Sequence, residues 1–380
     1  MRRRFTPVVA FWIALANPLV AAEPAATPKE VREAIVKALP LIHKGSVGHM
    51  AHRTCFACHH QAIPVLAMTT ARTRGLHGKD EEVPKHLRFI ADFLDRNRDN
   101  YLQGRGQGGQ VDTAGYALWT LEMGGWKPDK TTAAVAEYLL LHNKDLDHWR
   151  NSASTRPPSE SSLFTASYLA VRGLQTFGTK EQKARIDKRI GVVRGWLEKT
   201  PAKDTEDRVF RLWALKRVGS DTKVVQAAAQ ELLKTQRPDG GWAQTDTLKA
   251  DAYATGTALV GLHEAAGLAT SDPVYQRGVK RLLATQREDG TWYVRSRSKP
   301  FQTYFESGFP HGKDQFISLA ASSWATTALA LALPADTSTS TGRKWMASRA
   351  LTPPISRWRL DILSAFLPRP HAVFPDSSRW

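Results

Sequence analysis

Thr235-Gln236-Arg237-Pro238-Asp239-Gly240-Gly241-Trp242 returns fifty residues later as Thr285-Gln286-Arg287-Glu288-Asp289-Gly290-Thr291-Trp292. Each copy follows an apolar helical pattern that ends in Leu232-Leu233 or Leu282-Leu283. An Asp-Gly pair stops such a helix, and the flanking Gln and Trp can tie the turn to neighbouring helix ends. A self-similar phrase at this period is the signature of a repeat architecture, with one supersecondary unit per repeat.

Outward from these copies runs a second phrase, an Ala/Leu-rich helix opened by a polar residue. It appears at Asp112 to Leu118, Ser161 to Leu169, Glu206 to Leu212, Asp251 to Leu259 and Ser322 to Leu329. Asp and Ser at such starts are N-cap residues. About twelve helical stretches follow, near 29–43, 58–74, 80–98, 112–123, 130–142, 160–177, 181–199, 205–218, 222–236, 251–266, 273–286 and 315–333. Strand signals are nearly absent. Six helix pairs at a spacing near fifty residues predict an all-α fold, an (α/α)6 toroid of inner helices alternating with outer ones.

Arg277-Gly278, Leu282-Leu283, Gln286, Gly290 and Trp292 resemble the QW motif of squalene–hopene cyclases and their prenyltransferase-repeat relatives. The copy ending at Trp242 matches apart from Ala227-Ala228 in place of Arg-Gly. The resemblance, carried by the weaker helix pairs over roughly 28–335, implies the terpenoid-cyclase toroid, which serves cyclases, prenyltransferases and non-enzymatic proteins alike. In the cyclases an Asp-rich D-x-D-D motif protonates the substrate through its middle Asp. The nearest phrase here is Asp204-Thr205-Glu206-Asp207, which puts Glu206 at the proton-donor position. Glu206 and Asp207 of this phrase, together with Asp251 and Asp112 at the starts of other helices, are the candidate catalytic acids. The phrase is also a plausible helix start, with Asp204 as cap and two acids favouring the helix dipole. The related protein prenyltransferases hold zinc with Asp, Cys and His, but both cysteines here fall in the motif described next.

Cys55-Phe56-Ala57-Cys58-His59 is C-x-x-C-H, the attachment signature of c-type heme. It predicts one covalent heme c, thioether-linked through Cys55 and Cys58, with His59 as proximal iron ligand. A C-x-x-C disulfide and a zinc site are the alternatives, the latter without a further ligand nearby in sequence. If the helix starts are equivalent, His59 shares one mouth of the barrel with Asp112, Glu160, Asp207, Asp251 and Asp314, unless those carboxylates only cap helices. An inserted segment, 293–313, carries Tyr304, Phe305, Glu306 and His311 next to Asp314. In a closed ring it lies beside the first repeat, where it would cover the heme or plug the barrel. His311 is then a possible distal ligand, with His60, His49, His52 and Met68 as competitors.

The chain has 380 residues, 42% hydrophobic and 23% charged, with two cysteines and a net charge of +17. No disulfide framework supports the fold, and neither disorder nor a fibrous repeat fits this composition. Part of the charge sits in Arg2-Arg3-Arg4 and in a tail from Ser338 with seven basic and two acidic residues. The remaining charges are scattered, not gathered into a stripe, which argues against nucleic acid. Arg2 to Arg4, the apolar run Val8 to Ala16 and Val20-Ala21-Ala22 together read as a signal peptide over 1–22, predicting a periplasmic or secreted protein. The toroid is expected over 23–336 and a disordered basic tail over 337–380. The leading expectation is an exported heme protein in electron transfer or redox chemistry, acting with a redox partner protein or a small apolar molecule. The alternatives are a terpenoid-cyclase-like enzyme using acidic residues for proton-initiated chemistry, and a non-catalytic binding platform.

Overall fold

A computed structural model describes residues 25–76, 82–151, 156–299 and 303–336. The expected signal peptide and basic tail lie outside the described residues, as do Pro300, Phe301 and Gln302 of the inserted segment.

Thirteen α-helices and no strand occur among the described residues. They are α1 (Pro28–His52), α2 (Ile63–Arg72), α3 (Glu82–Arg96), α4 (Arg98–Leu102), α5 (Gln110–Met123), α6 (Lys130–Leu141) and α7 (Leu163–Phe177). The rest are α8 (Lys183–Lys199), α9 (Thr205–Arg217), α10 (Thr222–Leu233), α11 (Ala252–Ala266), α12 (Pro273–Thr285) and α13 (Gln315–Leu331). A π-turn over Cys58–Ala62 leads into α2, and a 3-10 turn over Gly312–Asp314 leads into α13.

Helices α2, α5, α7, α9, α11 and α13 pack each against the next, and α13 returns to α2. That is a closed inner ring. Helices α1, α3, α6, α8, α10 and α12 flank it from outside, so the expected toroid of six helix pairs is borne out. Composition decides which helices go inside. Helix α11 buries nearly every side chain and α13 buries all but two, whereas α3 and α12 bury only one face. A helix apolar all round belongs inside, and an amphipathic one belongs at the surface. Small residues let the inner helices approach closely: a Cβ on Gly256 would stand 2.7 Å from the backbone of Trp324.

The repeated turns lock adjacent pairs. The Trp242 indole donates to the carbonyl of Leu232 at 2.9 Å, and the Trp292 indole to that of Leu282 at 2.8 Å. The Gln236 amide bridges Gly240 O to Val274 O at the start of the next outer helix. The Gln286 amide does the same between Gly290 O and Ala34 O of α1, which closes the circle. Trp149 is a third such residue, donating to Leu139 O at 2.9 Å, and it lacks the flanking Gln and Asp-Gly that made the other two visible.

Two element boundaries differ from expectation. Helix α1 continues to His52, past Pro40, instead of stopping near 43. Its buried residues Ile42, Gly45, Ser46 and His49 dock on the ring, and tertiary packing outweighs the missing Pro40 amide. The short helix α4 falls in a stretch read as a connector.

Candidate active site at the mouth of the toroid

Because the inner helices run parallel, their N-terminal ends meet at one mouth. A cavity of about 470 Å³ opens there, a size suited to a small ligand. Its walls are mixed in character. Phe56, Phe305, Phe316 and Ile317 supply apolar surface, and Cys58, His59, Asp112, Arg156 and Glu160 supply polar groups.

Of the sequence-predicted residues, His49, Cys55, Cys58, His59, Asp112, Glu160, Tyr304, Phe305 and Asp314 line this cavity. The Cys58 thiol donates to Glu160 Oε1 at 3.0 Å and lies 3.5 Å from His59 Nδ1. Burial first, and the Glu160 carboxylate second, push the Cys58 thiol well above its usual range. Arg156 holds the other Glu160 oxygen at 2.9 Å. Burial, reinforced by Arg156, pushes His59 well below the ordinary imidazole value, so its ring is neutral. His60 is fully buried, and neither ring nitrogen has a hydrogen-bond partner among the described residues. Phe316 packs edge-on against both His59 and His60. The inserted segment reaches this side of the ring. Phe305 packs against His49, His52 and His60, with the Arg53 guanidinium 4.6 Å from its ring centre. Arg53 also donates to Thr303 O at 2.6 Å, and Ser307 abuts Gly48.

His311 departs from its expected place. It sits in the left-handed region at φ 87°, shares a hydrogen bond with Thr291 Oγ1 at 2.8 Å, and packs on Tyr293 and Phe309. These contacts anchor it to the second repeated turn, and it is not among the residues that line the cavity. Glu306 also turns aside, accepting from the Tyr304 hydroxyl and from Gln315. Asp314 accepts from the Tyr293 hydroxyl at 2.7 Å and from the Ser296 amide at 2.8 Å.

Of the remaining acids only Asp112 lines the cavity; Asp204, Glu206, Asp207 and Asp251 do not. Asp204 caps α9 by accepting from the Asp207 amide, and Asp251 caps α11 by accepting from the Ala254 amide. Asp112 accepts from Asn151 at 3.0 Å, and Asp207 from the Ser162 hydroxyl at 2.6 Å. Burial raises Asp251 to about 6. Glu206 is the most perturbed. Burial, with Asp204 as the next cause, raises it to about 8. The Thr165 and Tyr253 hydroxyls both donate to its Oε1, at 3.2 and 3.4 Å, while Oε2 has no partner among the described residues. Glu206 does not line the cavity itself. Burial first, and the nearby Glu206 and Cys58 among the further causes, raise the Tyr116 and Tyr253 phenols well above their usual value. Beyond them, Trp119, Tyr168, Phe210, Trp213 and Trp324 from four inner helices meet with ring centres 5.1–6.2 Å apart and close the barrel axis.

Residues 170–352 match the squalene-hopene cyclase C-terminal domain. The cyclase resemblance carried by the repeated turns is therefore borne out for this part of the chain. Among solved structures, a variant of the type II terpene cyclase MstE from Scytonema, in complex with geranylgeranyl dihydroxybenzoate, superposes with a TM-score of 0.53 at 13% identity. The alignment covers 81% of this chain and 98% of that one. MstE without ligand gives 0.52 at 15% identity, covering 81% and 99%. A protein from Actinoplanes gives 0.50 at 13% identity, covering 78% and 100%. At these identities the likeness is one of fold. A search of curated proteins returned no match.

These likenesses overturn the leading expectation of an electron-transfer protein, because they are to terpene cyclases and agree with the alternative instead. Glu160, read from the sequence only as one of several acids at a shared mouth, meets the Cys58 thiol of the C-x-x-C-H motif from 102 positions away. Tyr116, Tyr253, Arg156 and Phe316 were missed altogether. The one available signal was a tyrosine recurring in the Ala/Leu-rich helix phrases at positions 116, 168 and 253. No helix among the described residues is long and apolar enough to cross a membrane.

Proposed function

We propose that the protein is a terpenoid-cyclase-like enzyme that takes a small apolar, isoprenoid-type molecule in through the mouth of the toroid and starts its chemistry by proton transfer from a buried carboxyl deeper in the ring. The observation that carries this reading is Glu206. It stands at the donor position of the Asp204–Asp207 phrase and holds its proton at neutral pH. Both neighbouring hydroxyls donate to Oε1, so the acidic proton resides on the unpartnered Oε2. A carboxyl tuned near the working pH is an effective general acid. Donation to an alkene carbon breaks the π bond and leaves a carbocation. Aromatic faces such as Trp119, Trp213 and Trp324 stabilise a cation by about 0.5–2 kcal/mol each. MstE variants are described with geranylgeranyl dihydroxybenzoate as substrate and merosterolic acid A as product, so prenylated aromatic acids are the first compounds to assay.

The test incubates purified protein with a panel of geranylgeranyl and farnesyl compounds and resolves cyclised products by mass spectrometry. Glu206→Gln should lower turnover by at least about a hundredfold, the scale of a lost general acid. Glu206→Asp should retain part of it. Gln at wild-type rate, in a variant whose helical circular dichroism is intact, would sink the assignment.

A further inference from the structure

We propose that Cys58, His59 and Glu160 bind a single divalent metal ion of the zinc type, with its remaining coordination position open to the cavity. Cys58 Sγ, one ring nitrogen of His59 and one carboxylate oxygen of Glu160 lie within 4.8 Å of one another, and all three residues line the cavity. Thiolate, imidazole and carboxylate on one ion is a zinc-like donor set, and three protein ligands with one free position is the layout of catalytic zinc sites. The spacing supports this. Zn–S near 2.3 Å and Zn–N near 2.05 Å at a tetrahedral angle give an S···N edge of about 3.5 Å. Cys58 Sγ and His59 Nδ1 are 3.5 Å apart. Cys58 Sγ and Glu160 Oε1 are 3.0 Å apart, joined by the thiol proton that a metal would replace.

The surroundings hold the ligands as a metal site requires. Arg156 fixes the second oxygen of Glu160, an outer-shell contact that orients the carboxylate. His59 is wedged between the His60 and Phe316 rings, at centroid distances of 4.8 and 5.4 Å. The π-turn over Cys58–Ala62, closed by the Ile63 amide on Cys58 O, presents two consecutive side chains to one point. One thiolate and one carboxylate balance a dication in this buried setting, where unpaired charge is costly. The open position would take water or an oxygen of the cavity's occupant, and the ion would polarise it. This proposal does not depend on the cyclase reading.

Cobalt(II) is the probe, added to chelator-stripped full-length protein. One equivalent should bind with thiolate-to-metal charge-transfer absorption and be displaced by zinc. Cys58→Ser should abolish that absorption. Glu160→Gln should weaken binding by more than the about 10–100-fold that outer-shell changes cause. Cys55→Ser should leave both properties unchanged, because Cys55 contributes no ligand. Circular dichroism of each variant separates lost binding from lost fold. Absent cobalt binding, or retained absorption in Cys58→Ser, overturns the proposal. So does equal dependence on Cys55 and Cys58, which a disulfide or covalent heme requires. A pyridine hemochrome from protein exported by a host that matures cytochromes c would likewise return the motif to heme attachment.

Discussion

Glu206 makes stability depend on pH with a sign fixed by its environment. Its ordinary value of 4.5 rises to about 8 in the fold, so between these limits the native protein holds a proton that the unfolded chain releases. The native state binds more protons there, and stability therefore falls as pH rises through the window. Asp251, raised to about 6, acts in the same direction over the lower part. His49 and His86, each lowered to about 4 by burial, and the buried His59 and His60, lowered well below the ordinary value, oppose both below 6.5. Glu206→Gln removes only the Glu206 share. Thermal melts from about pH 6.5 to about pH 8, above the window of the histidines, should therefore show a shallower fall in Tm for the variant than for the wild type. Parallel slopes would mean that Glu206 is ionised in the native protein. The position of this acid was legible in the phrase Asp204 to Asp207. Its partners were not, because Thr165 and Tyr253 come from other inner helices, 41 and 47 residues away. At Cys58, likewise, Glu160 was legible as an acid at the same mouth, but its contact with the thiol, 102 positions away, was not.

At the scale of elements, the repeat was read from two turns where the structure has three tryptophans in the same role. Trp149, Trp242 and Trp292 each donate the indole N–H to a carbonyl ten residues earlier. Each also gives its backbone amide to a hydroxyl on the following inner helix: Ser167, Thr255 or Ser322. The copy at Trp149 was hidden because its turn is built differently, with Asn143 at φ 52° in the left-handed region that Asn tolerates. What fixes such a joint is the buried indole and its two hydrogen bonds, and the flanking Gln and Gly are additions. Trp149→Ala should thus cost about 3–5 kcal/mol, as much as Trp242→Ala, in urea unfolding. A cost below about 1 kcal/mol at Trp149 would show that the third copy is only a likeness. Helix existence and type were readable from apolar patterning. The π-turn and the continuation of α1 past Pro40 were not, since tertiary packing decides both.

For the whole molecule, the joint between the last repeat and the first is built like the joints inside the ring. Gly290 sits at φ 86° against the carbonyl of Lys37 in α1, and Gly240 at φ 83° against the carbonyl of Arg277 in α12. A Cβ at either would stand 2.5 Å from that carbonyl oxygen. Gly290→Ala and Gly240→Ala should therefore lower stability by equal amounts, within about 0.5 kcal/mol. A much milder effect at Gly290, together with fast hydrogen exchange in α1, would mean that the circle stands open in solution. Closure also sets a schedule for assembly. Helix α1 is made first, yet the helix it packs on most extensively, α13, and the turn that grips it are made last. During synthesis the opening segment must wait, its apolar stripe unsheltered, until nearly three hundred further residues have emerged. A ring that looks the same from every repeat is thus unequal in time, and its oldest helix is the one most exposed to a chaperone or a protease.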